Sequence, residues 1–479
     1  MVDKAQNTKS KSFFINRSEL VERIDPYYFK EEFRGLRDKL TQKKFIHIRD
    51  IIISWNRGDG PRDGYYTNDI ENGVIFLRVN NLKNNSIELK DVKYITRNVH
   101  NTKLKRTQVK AGDLIFAISG TKDNLGTVSI IPEQINEANL NSALVRLDLD
   151  TEKISKEFFC LLFELNFIRT QIEFIGKGAA QNNLNNNEIK SIQIPNLVIS
   201  KQNDLVCFYK KALIQKQQKE TQAQKLSKSI DTYLLNELGI MLPVKNNTAK
   251  SRIFLSNLSK VTSGRLDPDY QSISYKNIIA EIIKANYPIV ELKEITEVLN
   301  SGKTPASYEY SEEITDFPII KVGSYTNDFI NLEKADYVIA KQRLKAQKGD
   351  IFILSAAHQS EYVGRHIKML IEEPKIDTSY VGELICVRAN NKSNSVFLFS
   401  LLKTDIYKTL INREKTGQTS HVYGKDLKKI PIPLPAIQIQ DKISKHIIDL
   451  QDQIKTLQAD AKRILDKAKQ EVEKMIIGN

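Results

Sequence analysis

The residues that could carry chemistry are few, and each has a plainer use. Asp25-Pro26-Tyr27-Tyr28 comes nearest to the Asp/Asn-Pro-Pro-aromatic tetrad of amino-methyltransferases. It lacks the second proline. Its counterpart, Asp267-Pro268-Asp269-Tyr270, lies further off, and no strand–Gly-rich–helix signature for S-adenosylmethionine appears. A turn explains both better, because Asp accepts backbone N–H bonds and Pro fixes φ. Glu88-Leu89-Lys90 and Glu291-Leu292-Lys293 are Glu-x-Lys triplets of the kind nucleases use, but they do not correspond in position. Of six histidines only His358 and His366 are near one another, with no third metal ligand in view. Neither Gly176-Lys177-Gly178 nor Gly302-Lys303-Thr304 has the four-residue spacer of a P-loop. The chain reads as one that binds without catalysing: no catalytic residue, no metal and no cofactor of its own.

Binding residues are easier to find. Base edges are read by Arg, Lys, Gln or Asn on exposed loops, and phosphates are held by Lys and Arg. One polar loop runs Gly176-Lys177-Gly178-Ala179-Ala180-Gln181-Asn182-Asn183, and another runs Lys415-Thr416-Gly417-Gln418-Thr419-Ser420-His421. A second set is Ser119-Gly120-Thr121-Lys122, with Gln359 and Arg365 later in the chain. A third is the turn holding Arg57 and Arg62, against Lys303. The candidate nucleic-acid contacts among them are Arg57, Arg62, Lys122, Lys177, Gln181, Lys303, Gln359, Arg365, Lys415, Gln418 and His421. Lys103, Lys105, Arg106 and Lys110 form a strip suited to phosphates.

These loops must be held by a scaffold, and the composition allows a large one. The chain has 479 residues, room for two or three domains, and a net charge of +14, which favours a polyanionic partner. Nucleic acid suits that charge better than a membrane, because no apolar run reaches spanning length. Three well-separated cysteines, Cys160, Cys207 and Cys386, fit a reducing cytoplasm. Met1 to Ser12 reads as a tail and not a signal peptide.

Two long helices are expected. Ile443, Leu450, Leu457 and Ile464 alternate with Ile447, Ile454, Ala461, Ala468 and Met475 at spacings of three and four. Such a narrow apolar seam buries itself against a second helix. A rod over Ile439 to Ile477 would be on the order of 58 Å long. Lys201 to Gly239 repeats the frame, with Leu205, Tyr209, Ala212, Ala223, Leu226, Ile230 and Tyr233 on the seam. Lys216 and Lys219 interrupt it.

The rest of the chain is duplicated. Phe13-Phe14-Ile15-Asn16 recurs as Phe254-Leu255-Ser256-Asn257. Arg23-Ile24-Asp25-Pro26 recurs as Arg265-Leu266-Asp267-Pro268. His47 to Ile52 aligns with Glu291 to Thr296, each before a Gly-x-x-Pro turn, Gly58 to Pro61 and Gly302 to Pro305. Lys110 to Phe116 matches Gln347 to Phe352, and Ile192-Gln193-Ile194-Pro195 matches Ile430-Pro431-Ile432-Pro433. Strands are expected at Val74 to Val79, Asp113 to Ser119, Gly126 to Ile131 and Leu144 to Leu149, then at Phe317 to Val322, Asp350 to Leu354 and Gly382 to Arg388. Lys156 to Phe174 and Ser395 to Ile411 read as helical. Strands and helices do not alternate regularly, so each half is expected to be α+β. The predicted division is 1–199, a first module; 200–240, a spacer helix; 241–253, a linker; 254–436, a second module; and 437–479, a second spacer helix.

The ordered set of anchors, present twice with a Gln-led heptad helix after each, resembles the specificity subunits of type I restriction–modification systems. The likeness runs from about Phe13 to Ile477. It implies two target-recognition domains joined by an antiparallel helical pair. Each domain would read half of a split DNA sequence, the helices would set the gap, and two methyltransferase subunits, which bind S-adenosylmethionine, would dock. A restriction or translocase subunit is a further implied partner. Arg57-Gly58-Asp59-Gly60-Pro61 departs from the fuller Ser301-Gly302-Lys303-Thr304-Pro305. Two other readings are a self-contained restriction or modification enzyme, and a non-catalytic coiled-coil scaffold with ligand-binding modules. Salt separates the last from DNA recognition. With six phosphate contacts, DNA affinity should fall about a thousandfold between 50 and 200 mM salt in a titration, whereas a scaffold should show no such response.

Overall fold

The computed structural model describes residues 35–36, 39–40, 45–60, 64–83, 86–175, 182–241, 270, 272–326, 328–357, 359–416 and 420–478. The anchors at 13–28, 254–257 and 265–269, the expected linker beyond Met241, Pro61 and His358 lie outside the described residues. The chain forms two compact units, Met1–Lys219 with Ala459–Asn479, and Glu220–Gln458. Both are α+β.

The first unit is built on β1 (Phe45–His47), β2 (Ile52–Arg57), β3 (Tyr66–Thr67), β4 (Val74–Leu77), β5 (Lys93–Ile95), β6 (Gln108–Val109), β7 (Leu114–Ala117), β8 (Val128–Ile130), β9 (Ala138–Leu140), β10 (Leu144–Leu149) and β11 (Gln193–Pro195). Its main sheet is antiparallel in the order β8-β7-β10-β2. One face of it packs on α1 (Lys156–Leu162) and α2 (Asn166–Ile175), where Phe116, Leu147, Phe158, Phe159 and Ile168 are buried together. That burial of several large apolar side chains is the main stabilising term. A second sheet, β3-β5-β4-β9-β6, is mixed, with β4 and β9 parallel. The Ile-x-Ile-Pro anchor is β11, and it pairs with β1, so the end of the module is sewn to its beginning.

The second unit repeats this plan. Its strands are β12 (Ile289–Glu291), β13 (Thr296–Ser301), β14 (Tyr310–Ser311), β15 (Pro318–Ile320), β16 (Asp336–Val338), β17 (Ile351–Leu354), β18 (Ile367–Met369), β19 (Ser379–Tyr380), β20 (Leu384–Ala389) and β21 (Pro431–Pro433). The main sheet runs β18-β17-β20-β13, the same order and polarity. The second sheet runs β14-β16-β15-β19, again with one parallel pair, and β21 pairs with β12. In its core Asp350 is fully buried and accepts two bonds from Arg388, at 2.7 and 2.8 Å. Such a bidentate pair satisfies the carboxylate that burial would otherwise penalise.

Two expected helices are each broken in two. In the second unit α4 (Ser395–Lys403) and α5 (Asp405–Arg413) are separated by Thr404, whose extended backbone stops the helix. Its hydroxyl donates to the Leu401 carbonyl at 2.7 Å, so the last turn is closed by a side chain. In the first unit the break falls between Leu162 and Asn166.

The long helices are α3 (Ile199–Leu238) and α6 (Ile437–Ile477). Each unit holds the start of one and the end of the other, side by side and antiparallel. Gly239, with φ of 71°, ends α3, and Ile240 N–H then donates to the Leu235 carbonyl at 2.8 Å. The seam runs through buried Ile443, Ile447, Ala461 and Ala468 but not through Met475, which is 51% exposed. Val472 and Ile476 are buried instead. A straight helix has 3.6 residues per turn, so a strict seven-residue repeat drifts off the buried face, and steps of four follow that face. The seam lysine Lys219 meets Asp460 of the facing helix at 3.7 Å, so an ion pair fills a place an apolar residue would take.

One buried residue ties each module to its helix. Gln202, in the first turn of α3, donates to the carbonyls of Lys153 (2.7 Å) and Leu197 (2.8 Å) and accepts from Ser155 N–H (2.9 Å). Gln440, in the first turn of α6, donates to Lys392 (3.1 Å) and Pro435 (2.8 Å) and accepts from Asn394 N–H (2.9 Å). Both are buried. Gln440→Ala should lower the denaturant midpoint of unfolding and cost about 3 kcal/mol, because it strands three buried backbone groups. Gln440→Glu should cost more, since a carboxylate would face two carbonyls.

Candidate nucleic-acid interface

The three loop sets converge on one edge of each module, by the same backbone bonds. In the first unit Gly58 N–H, just after β2, donates to the Leu144 carbonyl at 2.9 Å. Ile118 N–H, just after β7, donates to the Ala143 carbonyl at 2.9 Å, and Leu184 N–H donates to the Ile118 carbonyl at 2.8 Å. In the second unit Gly302 N–H donates to Leu384 (3.0 Å), Ser355 N–H to Glu383 (2.8 Å), and Val422 N–H to Ser355 (2.9 Å). A turn, the entry to the fourth sheet strand, the segment after the Gly-Asp strand and the polar loop thus meet in each. The fit is tight. A Cβ on Gly58 would lie 2.1 Å from the Asn141 carbonyl oxygen, and one on Gly302 would lie 2.1 Å from that of Tyr380. Only glycine lets those turns close.

On this edge the side chains differ. Arg57 is exposed at the end of β2. Its Nε donates to the Ser142 carbonyl at 2.8 Å, and Arg106 donates to the Arg57 carbonyl at 2.8 Å. The structure thus joins Arg106, from the expected phosphate strip, to the turn. Lys303 is exposed on a turn clamped by Thr304, whose hydroxyl accepts from Gly382 N–H (3.0 Å) and donates to Glu383 (2.9 Å). Lys122 is exposed and pairs with Glu173 at 2.6 Å. Ser119–Gly120 pairs with Asn182–Asn183, which brings the second loop set against the first. Lys177, Gln181, Arg62 and Gln418 lie outside the described residues. Gln359 and Arg365 are exposed on one loop. Lys415 precedes Thr416, which exchanges backbone bonds of 2.8 and 3.0 Å with His421.

Some residues on this edge were not singled out from sequence. Tyr423 stacks on His421 with ring centroids 6.1 Å apart, and Lys425 Nζ lies 5.5 Å from the Tyr423 ring. The alternation His421-x-Tyr423-x-Lys425 was the available signal. A half-exposed ring beside a cation can stack on a base or steady a phosphate. Two further residues position the loops. Arg169 donates to the Leu125 and Lys122 carbonyls at 2.6 and 3.1 Å, and burial lowers its pKa from the usual guanidinium value. Asn412 does the same work in the second unit, donating to Val363 at 2.7 Å.

The second unit also has a cleft of about 860 Å³ away from that edge. Phe329 and Phe399 line it with Asp231, Asp328, Lys403 and Lys408. Among the described residues no three or more His, Cys, Asp or Glu side chains cluster as a metal site would need, and no helix is long and apolar enough to cross a membrane.

With this geometry in view the relationships to known proteins are informative. Residues 285–465 match the family described as type I restriction modification DNA specificity domain. The chain is 29% identical over 213 residues to a putative type I restriction enzyme MjaX specificity subunit of Methanocaldococcus jannaschii, covering 42% of this chain and 47% of that protein. Over these stretches the chain is similar to the type I specificity subunits. The EcoBI specificity subunit of Escherichia coli is 24% identical over 138 residues, 29% of this chain and 28% of its own. The chain thus spans about half the length, or less, of these specificity subunits. Among solved structures, the HsdS subunit from Thermoanaerobacter tengcongensis aligns over 91% of this chain and 96% of its own, at 15% identity and a TM-score of 0.36. The type I S subunit from M. genitalium aligns over 90% and 96%, at 14% identity and a TM-score of 0.39.

Asp231 in the cleft makes no hydrogen bond or ion pair among the described residues. Burial raises its pKa above the ordinary carboxylate value against the pull of Lys408 and Lys403, and Asp405 adds to the rise. A raised acid holds its proton in the folded state over a pH range where the unfolded chain has lost it. Its cost to stability is therefore absent at low pH and complete once pH has risen through the folded pKa. Asp231→Asn should raise the denaturant midpoint at pH 7, and the gain should vanish as pH falls below the carboxylate range.

Proposed function

We propose that the chain is the DNA-specificity subunit of a type I restriction–modification complex and performs no catalysis. The observation that supports this best is the repeated edge: one set of backbone bonds, occurring once per module, presents two different sets of donor side chains. Two such edges suit two half-sites of unlike sequence. The first module, with Arg57, Arg62, Lys122, Lys177 and Gln181, reads one half-site. The second, with Lys303, Gln359, Arg365, Lys415, Gln418 and His421, reads the other. Helices α3 and α6 set the gap and dock two methyltransferase subunits, which carry S-adenosylmethionine. A restriction or translocase subunit joins the same assembly. The complex works in the cytoplasm.

The test is methylation mapping by long-read sequencing, with the neighbouring methyltransferase expressed with and without this chain. A split motif with a fixed gap should appear only when the chain is present. Arg365→Ala with Gln359→Ala should relax or weaken one half-site, by about 1–3 kcal/mol per lost base contact, and leave the other unchanged. Methylation of the same motif without the chain would refute the reading. So would a second-module variant that alters both half-sites.

A further inference from the structure

The two corners where a module meets the far end of a long helix carry opposite charges. In the first unit Glu164, in the turn between α1 and α2, accepts from Lys469 of α6 at 2.6 Å. One turn on, Glu473 accepts from Phe167 N–H at 2.9 Å and so caps α2. In the second unit the corner residue is Lys403, followed by Asp405 at the start of α5, and the end of α3 offers Asp231 and Leu235. Lys403 is held by Asp328 at 2.6 Å, and its charge acts on Asp231 in the same cleft. The glutamine clamps fix the correspondence. Counted from Ser155 and Asn394, which Gln202 and Gln440 hold, Glu164 and Lys403 take the same place. Counted from the two glutamines, so do Asp231 and Lys469, and Leu235 and Glu473.

A duplicated chain has a built-in competitor, because α3 resembles α6 closely enough to pair with another α3. Two antiparallel α3 helices would set Glu164 against Asp231 and leave α2 uncapped beside Leu235. Two α6 helices would set Lys403 against Lys469 and Asp405 against Glu473. We propose that the corner charges make each half reject a second copy of itself, so that α3 pairs with α6 and not with its like. Like charges brought together in a partly buried corner are an effective way to exclude a wrong partner. Asp231 fits this role. Its ionised form is disfavoured by burial, so it serves discrimination at the expense of stability.

The experiment uses the full chain. Glu164→Lys with Lys469→Glu keeps an opposite pair in the native corner but gives both corners the same polarity, so that like halves attract. Wild type and variant are unfolded in guanidinium, refolded at equal concentration and weighed by light scattering. The wild type should return as monomer, and the variant should give a dimer fraction about tenfold higher. Equal dimer fractions, or a wild-type dimer, would overturn the proposal. Lys469→Glu alone should lower the denaturant midpoint, and adding Glu164→Lys should restore it; failure to restore would show that the corner charges do not act on each other. Asp231→Asn removes one repulsion without weakening the fold. It should raise the dimer fraction above wild type and below the double variant, and a fraction equal to wild type counts against the idea.

Discussion

Everything at the loop edge of each unit depends on a module being fixed to a helix, and a buried primary amide does the fixing. Gln202 and Gln440 each satisfy two carbonyls and one N–H that would otherwise be stranded where module and helix meet. An amide suits the place because it donates twice and accepts through a single oxygen, with no charge to desolvate. Apolar packing alone would hold the parts together but allow sliding by a residue or a turn. Three directional bonds at each end remove that freedom. The register of the loops against the helix is therefore set by chemistry in the first turn and not by the length of the seam.

From that anchor the scaffold is rigid where the loops are not constrained in sequence. The same five places close on one another in both modules: a glycine turn, a strand entry, the segment after the Gly-Asp strand, a polar loop, and β1 or β12 under the closing anchor. All of these closures are backbone bonds. Side chains such as Arg57 or Lys303 project from positions whose main chain is fixed, so their identity is free to change without disturbing the fold. This division explains how two halves keep one architecture while sharing few surface residues.

Much of this was legible in the sequence, and the failures have physical causes. The duplication, the Gly-Asp strands and the long helices were visible because each rests on a strong local pattern. Of the second sheets only β4 and β15 were, since strands such as Tyr66–Thr67 and Ser379–Tyr380 are too short to show a period of two. The helical stretches show no break in the sequence because apolar spacing carries across it, and Thr404 alone gives little warning. Met475 was placed on the seam by counting sevens, where the straight helix follows Val472 and Ile476. At the edge, Arg57 and Lys303 could be found by type and by the adjoining glycine. Tyr423 and Lys425 are marked only by the alternation His421-x-Tyr423-x-Lys425, which does not by itself show that a ring will stack on His421. The roles of Arg169 and Asn412 exist only once the helix pair lies on the loop.

The mixed ownership of the long helices has a consequence for synthesis. The core of the first unit includes Ala468, Val472 and Ile476, which leave the ribosome after the whole second unit. At 5–20 residues per second that wait is roughly 10–50 s. During it the apolar face at the start of α3, with Leu205, Tyr209 and Ala212, stays uncovered. The nascent chain therefore passes through a stage in which its earliest module is the last to be completed, and in which a chaperone or a neighbouring nascent copy could reach that face first.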